Sequence, residues 1–299
     1  MPAGSPVRGA RRHVSGVFWR RPFLKAGGLL AAPVAWFLFV YLAALAVLFI
    51  SAFWTVDPFT GDLVRHWNLD NFRILWDSPA YRHIALRTVG IAAAVTVADA
   101  VLAFPLAYYM ARIATPRSRT LLFVMVLLPL WSSYLVRVYA WRLILSQDGA
   151  LNWVLHGLGL PAAGLAYTNT AVWLVFSYVW LPFMVLPVYA SLERIPDNYL
   201  EASADLGARG TATARRIVLP LALPGLVAGS IFTFSLTLGD YITPKLVGGP
   251  SSQFIGNVVY DSVGVSSNVP FAAAFALVPL AIMGVYLLTA RRLGAFEAL

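Results

Sequence analysis

Few residues of this 299-residue chain are of types that do chemistry, and their spacing restricts what that chemistry is. There are no cysteines, which removes thiol catalysis, disulfides and zinc ribbons. The four histidines, His13, His66, His83 and His156, are scattered and form no metal-ligand pair such as His-Glu-x-x-His. Lys25 and Lys245 are not followed by Ser or Thr, so the chain lacks the Gly-rich loop ending in Lys-Ser/Thr that cradles nucleotide phosphates. What remains is a handful of ionisable groups inside apolar runs, where charge is costly and therefore informative: Asp99, Asp240, Arg87, Arg137 and Arg142. A carboxylate at Asp240 with the Tyr241 ring beside it would suit an organic cation, through charge pairing and cation–π contact. The competing assignment is a structural bridge from Asp240 to Arg137 or Arg142. The three arginines lie toward the ends of their runs and are read as snorkelling to the interface.

The elements that must position these groups are membrane spans. With 60% hydrophobic and 12% charged residues and a mean hydropathy of +0.74, the chain is too apolar for an ordinary soluble domain. Six apolar runs stand out, at about 29–53, 84–110, 120–145, 170–192, 219–243 and 269–290, which predicts an all-α polytopic membrane protein with six transmembrane helices. The first run is too long for a cleaved signal peptide and is read as a retained span. The segment from Trp54 to His83 carries mixed charge with Trp54, Phe59, Trp67, Phe72 and Trp76, as suits an interfacial outer loop. The net charge of +9 does not indicate a nucleic-acid binder, because the basic residues gather at alternate ends of the runs. Arg8, Arg11, Arg12, Arg20, Arg21 and Lys25 precede the first span. Arg112, Arg117 and Arg119 follow the second, Arg194, Arg209, Arg215 and Arg216 follow the fourth, and Arg291 and Arg292 follow the sixth. The positive-inside rule then puts both termini in the cytoplasm. The expected division is a basic tail at 1–28, a six-span domain at 29–290 and a short tail at 291–299.

One polar segment, 193–220, is long enough to hold structure of its own. After Ile195-Pro196, the run from Asp197 to Leu206 offers a helix start and good helix formers, and Gly207 offers a stop. Asp197, Glu201, Asp205 and Arg209 fall four apart on one face. Tyr199, Ala202, Ser203 and Leu206 make the other, small enough at its middle for close approach of another surface. A second short helical piece with Arg215 and Arg216 is expected to lead into the fifth span.

The same segment resembles the "EAA" loop of type I ABC importer permeases: Glu201-Ala202-Ser203, then Gly207, then Ile217, then Leu219-Pro220. The departure is Ser203, where the pattern has a second alanine. The resemblance implies a cytoplasmic coupling helix that docks on an ATPase subunit, with Glu201, Ala202, Ser203, Asp205, Leu206, Gly207, Ile217, Leu219 and Pro220 as the coupling residues. It further implies an ABC ATPase dimer that carries the ATP and Mg, a second permease subunit and an extracytoplasmic substrate-binding protein. No cofactor, metal or nucleic acid is expected on this chain. Two further stretches resemble the first permease of spermidine/putrescine transporters: Leu128-Pro129-Leu130-Trp131 through Arg137 and Tyr139, and Leu238-Gly239-Asp240-Tyr241-Ile242-Thr243-Pro244 through Asn257. The implied protein is a non-catalytic permease of a bacterial inner membrane, half of a pore for a small organic solute such as a polyamine. Asp240, Tyr241, Asp99, Trp131 and Tyr139 are the candidate path residues. The rival reading, a secondary transporter, would need paired broken helices in inverted repeats, and only one copy of the coupling stretch is evident.

Overall fold

The computed structural model describes residues 22–292, so most of the tail expected at 1–28, and residues 293–299, lie outside the described residues. The chain is helical almost throughout. Helix α1 (Pro22–Ser51) is followed by a two-stranded hairpin, β1 (Thr55–Val56) and β2 (Leu63–Val64), and by α2 (Asp70–Asp77). The hairpin turn is held by Asp57, which accepts from the backbone N–H groups of Phe59 (2.8 Å) and Thr60 (3.1 Å). Those two donors stabilise the ionised form and pull its carboxyl below the usual carboxylate range. Helix α3 (Pro79–Tyr108) ends in a π-turn at Tyr109–Ile113. Next come α4 (Pro116–Leu127), a 3₁₀ turn (Leu128–Trp131), α5 (Tyr134–Ile144), α6 (Ala150–Gly157) and α7 (Asn169–Glu193). Helix α8 (Asp197–Asp205) precedes α9 (Gly210–Thr213), which runs through a second π-turn (Ala214–Val218) into α10 (Leu219–Gly239). Helices α11 (Ile242–Val247), α12 (Ile255–Gly264) and α13 (Val269–Arg292) complete the fold.

Among the described residues, five helical stretches are long and apolar enough to cross a membrane: Gly27–Ser51, Pro79–Ile113, Asn169–Glu193, Gly210–Gly239 and Val269–Arg291. The third run is not the continuous span expected at 120–145. It is a pair, Pro116–Trp131 and Tyr134–Ile144, bent by 96°. Pro129 removes a backbone donor, the helix tightens to 3₁₀ at Leu128–Trp131, and Ser132 is extended, which ends one segment before the next begins. The fifth span also differs: the short helix α9 and the π-turn run straight into α10, so the span begins at Gly210, and it stops at Gly239, so Asp240 lies at a break and not inside a helix. The loops expected at 146–169 and 244–268 carry α6, α11 and α12.

Helix α7 is the centre of the bundle, packed between α3 and α10. On α3 the stripe Thr88, Ala92, Val95, Asp99, Ala103 and Ala107 recurs every three or four residues and is buried. On α10, Gly225 and Gly229 form a Gly-x-x-x-Gly pair. A Cβ at Gly225 would lie 2.5 Å from the Pro187 carbonyl oxygen, and one at Gly229 would lie 2.6 Å from Met184 Sδ. Lipid is as apolar as a helix face, so close packing of this kind, not exclusion of water, holds such helices together. Helix α1 stays at the periphery against α13, with most of its surface exposed.

The two ends of the bundle are tied differently. At one end Arg112, in the last turn of the second span, and Arg119, just after it, meet the α7–α8 connection. At the other, Arg87 at the start of α3 donates to the carbonyls of Ser251 and Gln253 beyond α11, so it is pinned to a loop and does not snorkel free.

Candidate functional site

The polar segment after α7 folds as its residues dictate. Pro196 precedes the first turn of α8, and Asp197 places a negative charge at its N-terminus. The C-terminus closes in a Schellman arrangement: Gly207 N–H donates to Ala204 O (2.8 Å) and Ala208 N–H to Ser203 O (3.1 Å). This requires the left-handed φ of +72° that Gly207 adopts.

The faces of α8 differ in one respect from the sequence expectation. Ser203 is buried, turned toward the following helix, with its Oγ 2.8 Å from Thr213 Oγ1. Leu200 packs inward with it, against the buried cluster that includes Leu192 and Ile195. The free face therefore consists of Tyr199, Ala202 and Leu206 with the carboxylates of Glu201 and Asp205, and Leu206 is 88% exposed. Ile217 falls in the π-turn, while Leu219 and Pro220 open α10 and lie beyond α8 itself.

Arg112 is presented by the π-turn at the end of α3. Its side chain, only 11% exposed, donates to Leu192 O (2.6 Å), to Ile195 O, and to Asp197 Oδ1 (2.6 Å). The first two are carbonyls at and just beyond the C-terminal turn of α7, where a cation is favoured; the third is the first residue of α8. Arg119 takes carbonyls within the π-turn, Met110 O (2.9 Å) and Ala111 O (3.2 Å), and lies 3.8 Å from Glu193.

At the opposite end, Asp240 joins α10 to α11. Its Oδ1 accepts from the Ile242 N–H (2.7 Å) and the Thr243 N–H (3.0 Å) and so caps α11, while its Oδ2 accepts from the Tyr134 hydroxyl. The bridge to Arg137 or Arg142 is not formed. Arg142 instead meets the Tyr167 hydroxyl at 3.4 Å, and Arg137 keeps buried Nε and Nη1 atoms without a partner among the described residues, which is not the snorkelling expected of it. Tyr241 stacks on Tyr260 with centroids 4.5 Å apart, and Lys245 lies over the Tyr260 ring at 4.4 Å while pairing with Asp261. Beside Tyr241 opens a mostly apolar groove of about 490 Å³ lined by Leu238, Ile255, Val259, Tyr260, Pro279 and Met283 among others.

The other candidate path residues are not gathered here. Asp99 is fully buried on the face of α3 that meets α7, its two oxygens unpartnered among the described residues and the Ser177 hydroxyl beside it. Trp131 is 85% exposed at the α4–α5 break, and Tyr139 is exposed on α5.

Among the described residues, an exposed apolar and acidic helix thus lies between two spans, held at both ends. Residues 100–293 match the family described as binding-protein-dependent transport system inner membrane component. The chain belongs to that family. The permease is 49% identical to the inner membrane ABC transporter permease protein YdcU of Escherichia coli K12, across 99% of this chain and 98% of that one. It is 33% identical to the spermidine/putrescine transport system permease protein PotB of the same bacterium, across 87% and 94%. Among solved structures, its fold is similar to a chain of a bacterial alginate ABC transporter bound to its alginate-carrying periplasmic protein, with a TM-score of 0.74 at 17% identity over 95% and 97% of the two chains. It is also similar to a chain of the inward-facing MetNI methionine ABC transporter, with a TM-score of 0.55 at 16% identity over 74% and 99%. The protein is thus a multi-pass inner-membrane subunit of a type I ABC importer, and it is not itself an enzyme.

Several residues of this site were not singled out by sequence. Arg112 and Arg119 counted only as topology determinants, Tyr134 carried no signal, and Thr213 became meaningful once Ser203 faced it. Gly225 and Gly229 did carry one, in their four-residue spacing.

Proposed function

We propose that this permease forms half of a translocation pore with a second permease subunit and docks through α8 on an ABC ATPase dimer. That dimer carries the ATP and Mg and supplies the work. The observation that carries this reading is α8 itself, a short helix whose exposed Leu206, Tyr199 and Ala202 have no cover among the described residues while its ends are held. A substrate-binding protein delivers the solute at the opposite end, where α6, α11 and α12 lie. ATP-driven closure of the ATPase carries α8 with it, and the half-pore rocks between inward- and outward-open forms. Both termini are cytoplasmic, with the basic tail at 1–28, the pore domain at 29–290 and a tail at 291–299.

The substrate class proposed is a small organic cation, most specifically a polyamine, supported by the extended similarity to spermidine/putrescine permeases. On this reading the Tyr241–Tyr260 pair offers aromatic faces to the path, Asp240 sets their position and adds negative potential, and Asp99, Trp131 and Tyr139 contribute at other depths. Purification of the permease with its partners, followed by reconstitution, tests the assembly. A nucleotide-binding subunit should copurify, and receptor-dependent uptake of labelled putrescine should be blocked by excess spermidine. Uptake by the permease alone would contradict the assembly, and indifference to polyamines would contradict the substrate.

A further inference from the structure

The connection from α8 to the membrane runs through more than the two spans it joins. Helix α8 is joined directly to α7 before it and, through Gly207, to α9–α10 after it, so those two spans follow it by covalent linkage. Helix α3 is not next to α8 in sequence, yet the π-turn at its end delivers Arg112 onto three acceptors: Leu192 O, Ile195 O and Asp197 Oδ1. Arg112 Nη2 serves the two carbonyls and Nη1 serves the carboxylate, so one planar fork grips the exit of α7 and the entry of α8 together. The π-turn matters for this grip. It shifts the register after Tyr109, and the Ala114 N–H closes on Tyr109 O at 2.8 Å. Arg119 fixes the turn by taking Met110 O and Ala111 O, so the base from which Arg112 reaches is itself rigid. Met110 and Ala111 are buried with Val188, Leu192 and Ile195, which backs the clamp with packing.

We propose that Arg112 is a positioning residue of the transport cycle, locking the end of α3 to the docking helix so that displacement of α8 moves the second span together with α7 and α10. The inference rests on the reading of α8 as the ATPase-docking helix. It assigns the acid at Asp197 a role apart from the docking face: it is the point on α8 that Arg112 holds.

The test uses the complete transporter in liposomes with its receptor, measuring putrescine uptake and ATP hydrolysis together. In Arg112→Ala the ATPase subunit should still copurify and hydrolyse ATP within about twofold of the unaltered rate, while uptake per ATP falls at least tenfold. Arg112→Lys, which lacks the fork, should recover part of that loss. Asp197→Ala should lose less, and should add little to Arg112→Ala because both remove the same contact. The chain has no cysteine, so spin labels at Val97→Cys on α3 and Val285→Cys on α13 give a second readout that needs no substrate. Trapping the ATPase with vanadate should change their separation in the unaltered protein, and Arg112→Ala should abolish that change. Equal falls in uptake and hydrolysis, or an undiminished vanadate response in Arg112→Ala, would overturn the clamp. Failure of the docking reading would show separately, as unaltered permease that purifies without a nucleotide-binding subunit.

Discussion

Replacing Gly207 isolates the backbone at the end of α8 from everything else there. Its φ is +72°, and a Cβ built on it meets nothing within 4 Å, so within the permease alanine is opposed by conformation alone. The left-handed conformation costs an L-residue about 1–2 kcal/mol. Alanine recovers about 0.4–1 kcal/mol by restricting the unfolded chain, which leaves a net loss on the order of 1 kcal/mol. That corresponds to roughly a fivefold shift away from the closed Schellman turn. Asparagine tolerates this conformation and should cost little, whereas valine should cost most. Gly210, three residues on, has ordinary φ and equally open space, so Gly210→Ala should be neutral or slightly stabilising. Receptor-dependent uptake in the reconstituted transporter should therefore rank Gly210→Ala and Gly207→Asn near the unaltered protein, then Gly207→Ala, then Gly207→Val. Equal loss for asparagine and alanine would mean that the space beyond Gly207 is occupied by the partner, and the backbone argument would be refuted.

Leu206→Asp should leave the thermal stability of the isolated permease unchanged, because the side chain is 88% exposed, while weakening retention of the ATPase. Burial of one leucine is worth about 1.5–3 kcal/mol, or roughly ten- to a hundredfold in affinity, measurable by titrating the ATPase onto the permease. Ser203→Ala and Thr213→Ala each break the same 2.8 Å contact and should each lower stability by about 1 kcal/mol, with no further loss in the double variant and no specific loss of uptake. Thermal unfolding checks it, and additive losses would show that the two hydroxyls act apart. Asp240→Asn keeps an oxygen for the Ile242 and Thr243 N–H groups but removes charge, so uptake of a cationic substrate should fall much more than basal ATP hydrolysis. If Asp240→Asn and Tyr134→Phe lower stability alike and spare uptake, Asp240 serves as a helix cap only.

Much of this protein is determined locally and is legible in the sequence. Six apolar runs, basic residues at alternate ends and the Glu201 to Pro220 spacing follow from hydropathy, charge and turn chemistry, each of which acts over a few residues. Gly207 is a case in point: a glycine after a run of helix formers means a left-handed stop, and the helix ends there. Tertiary structure decided what distant segments do to one another. Ser203 turned inward because Thr213 faces it across the turn, and Asp240, whose Oδ1 caps α11 locally, also takes the Tyr134 hydroxyl because α5, a hundred residues earlier, brings it there. The third run broke at Pro129 to a degree that its composition does not encode, since a proline removes one donor but its neighbours set the 96° angle. Arg112 makes the same distinction. Its charge marked a side of the membrane, but only packing of α3 against α7 brought that charge onto the carbonyls and carboxylate that give it work.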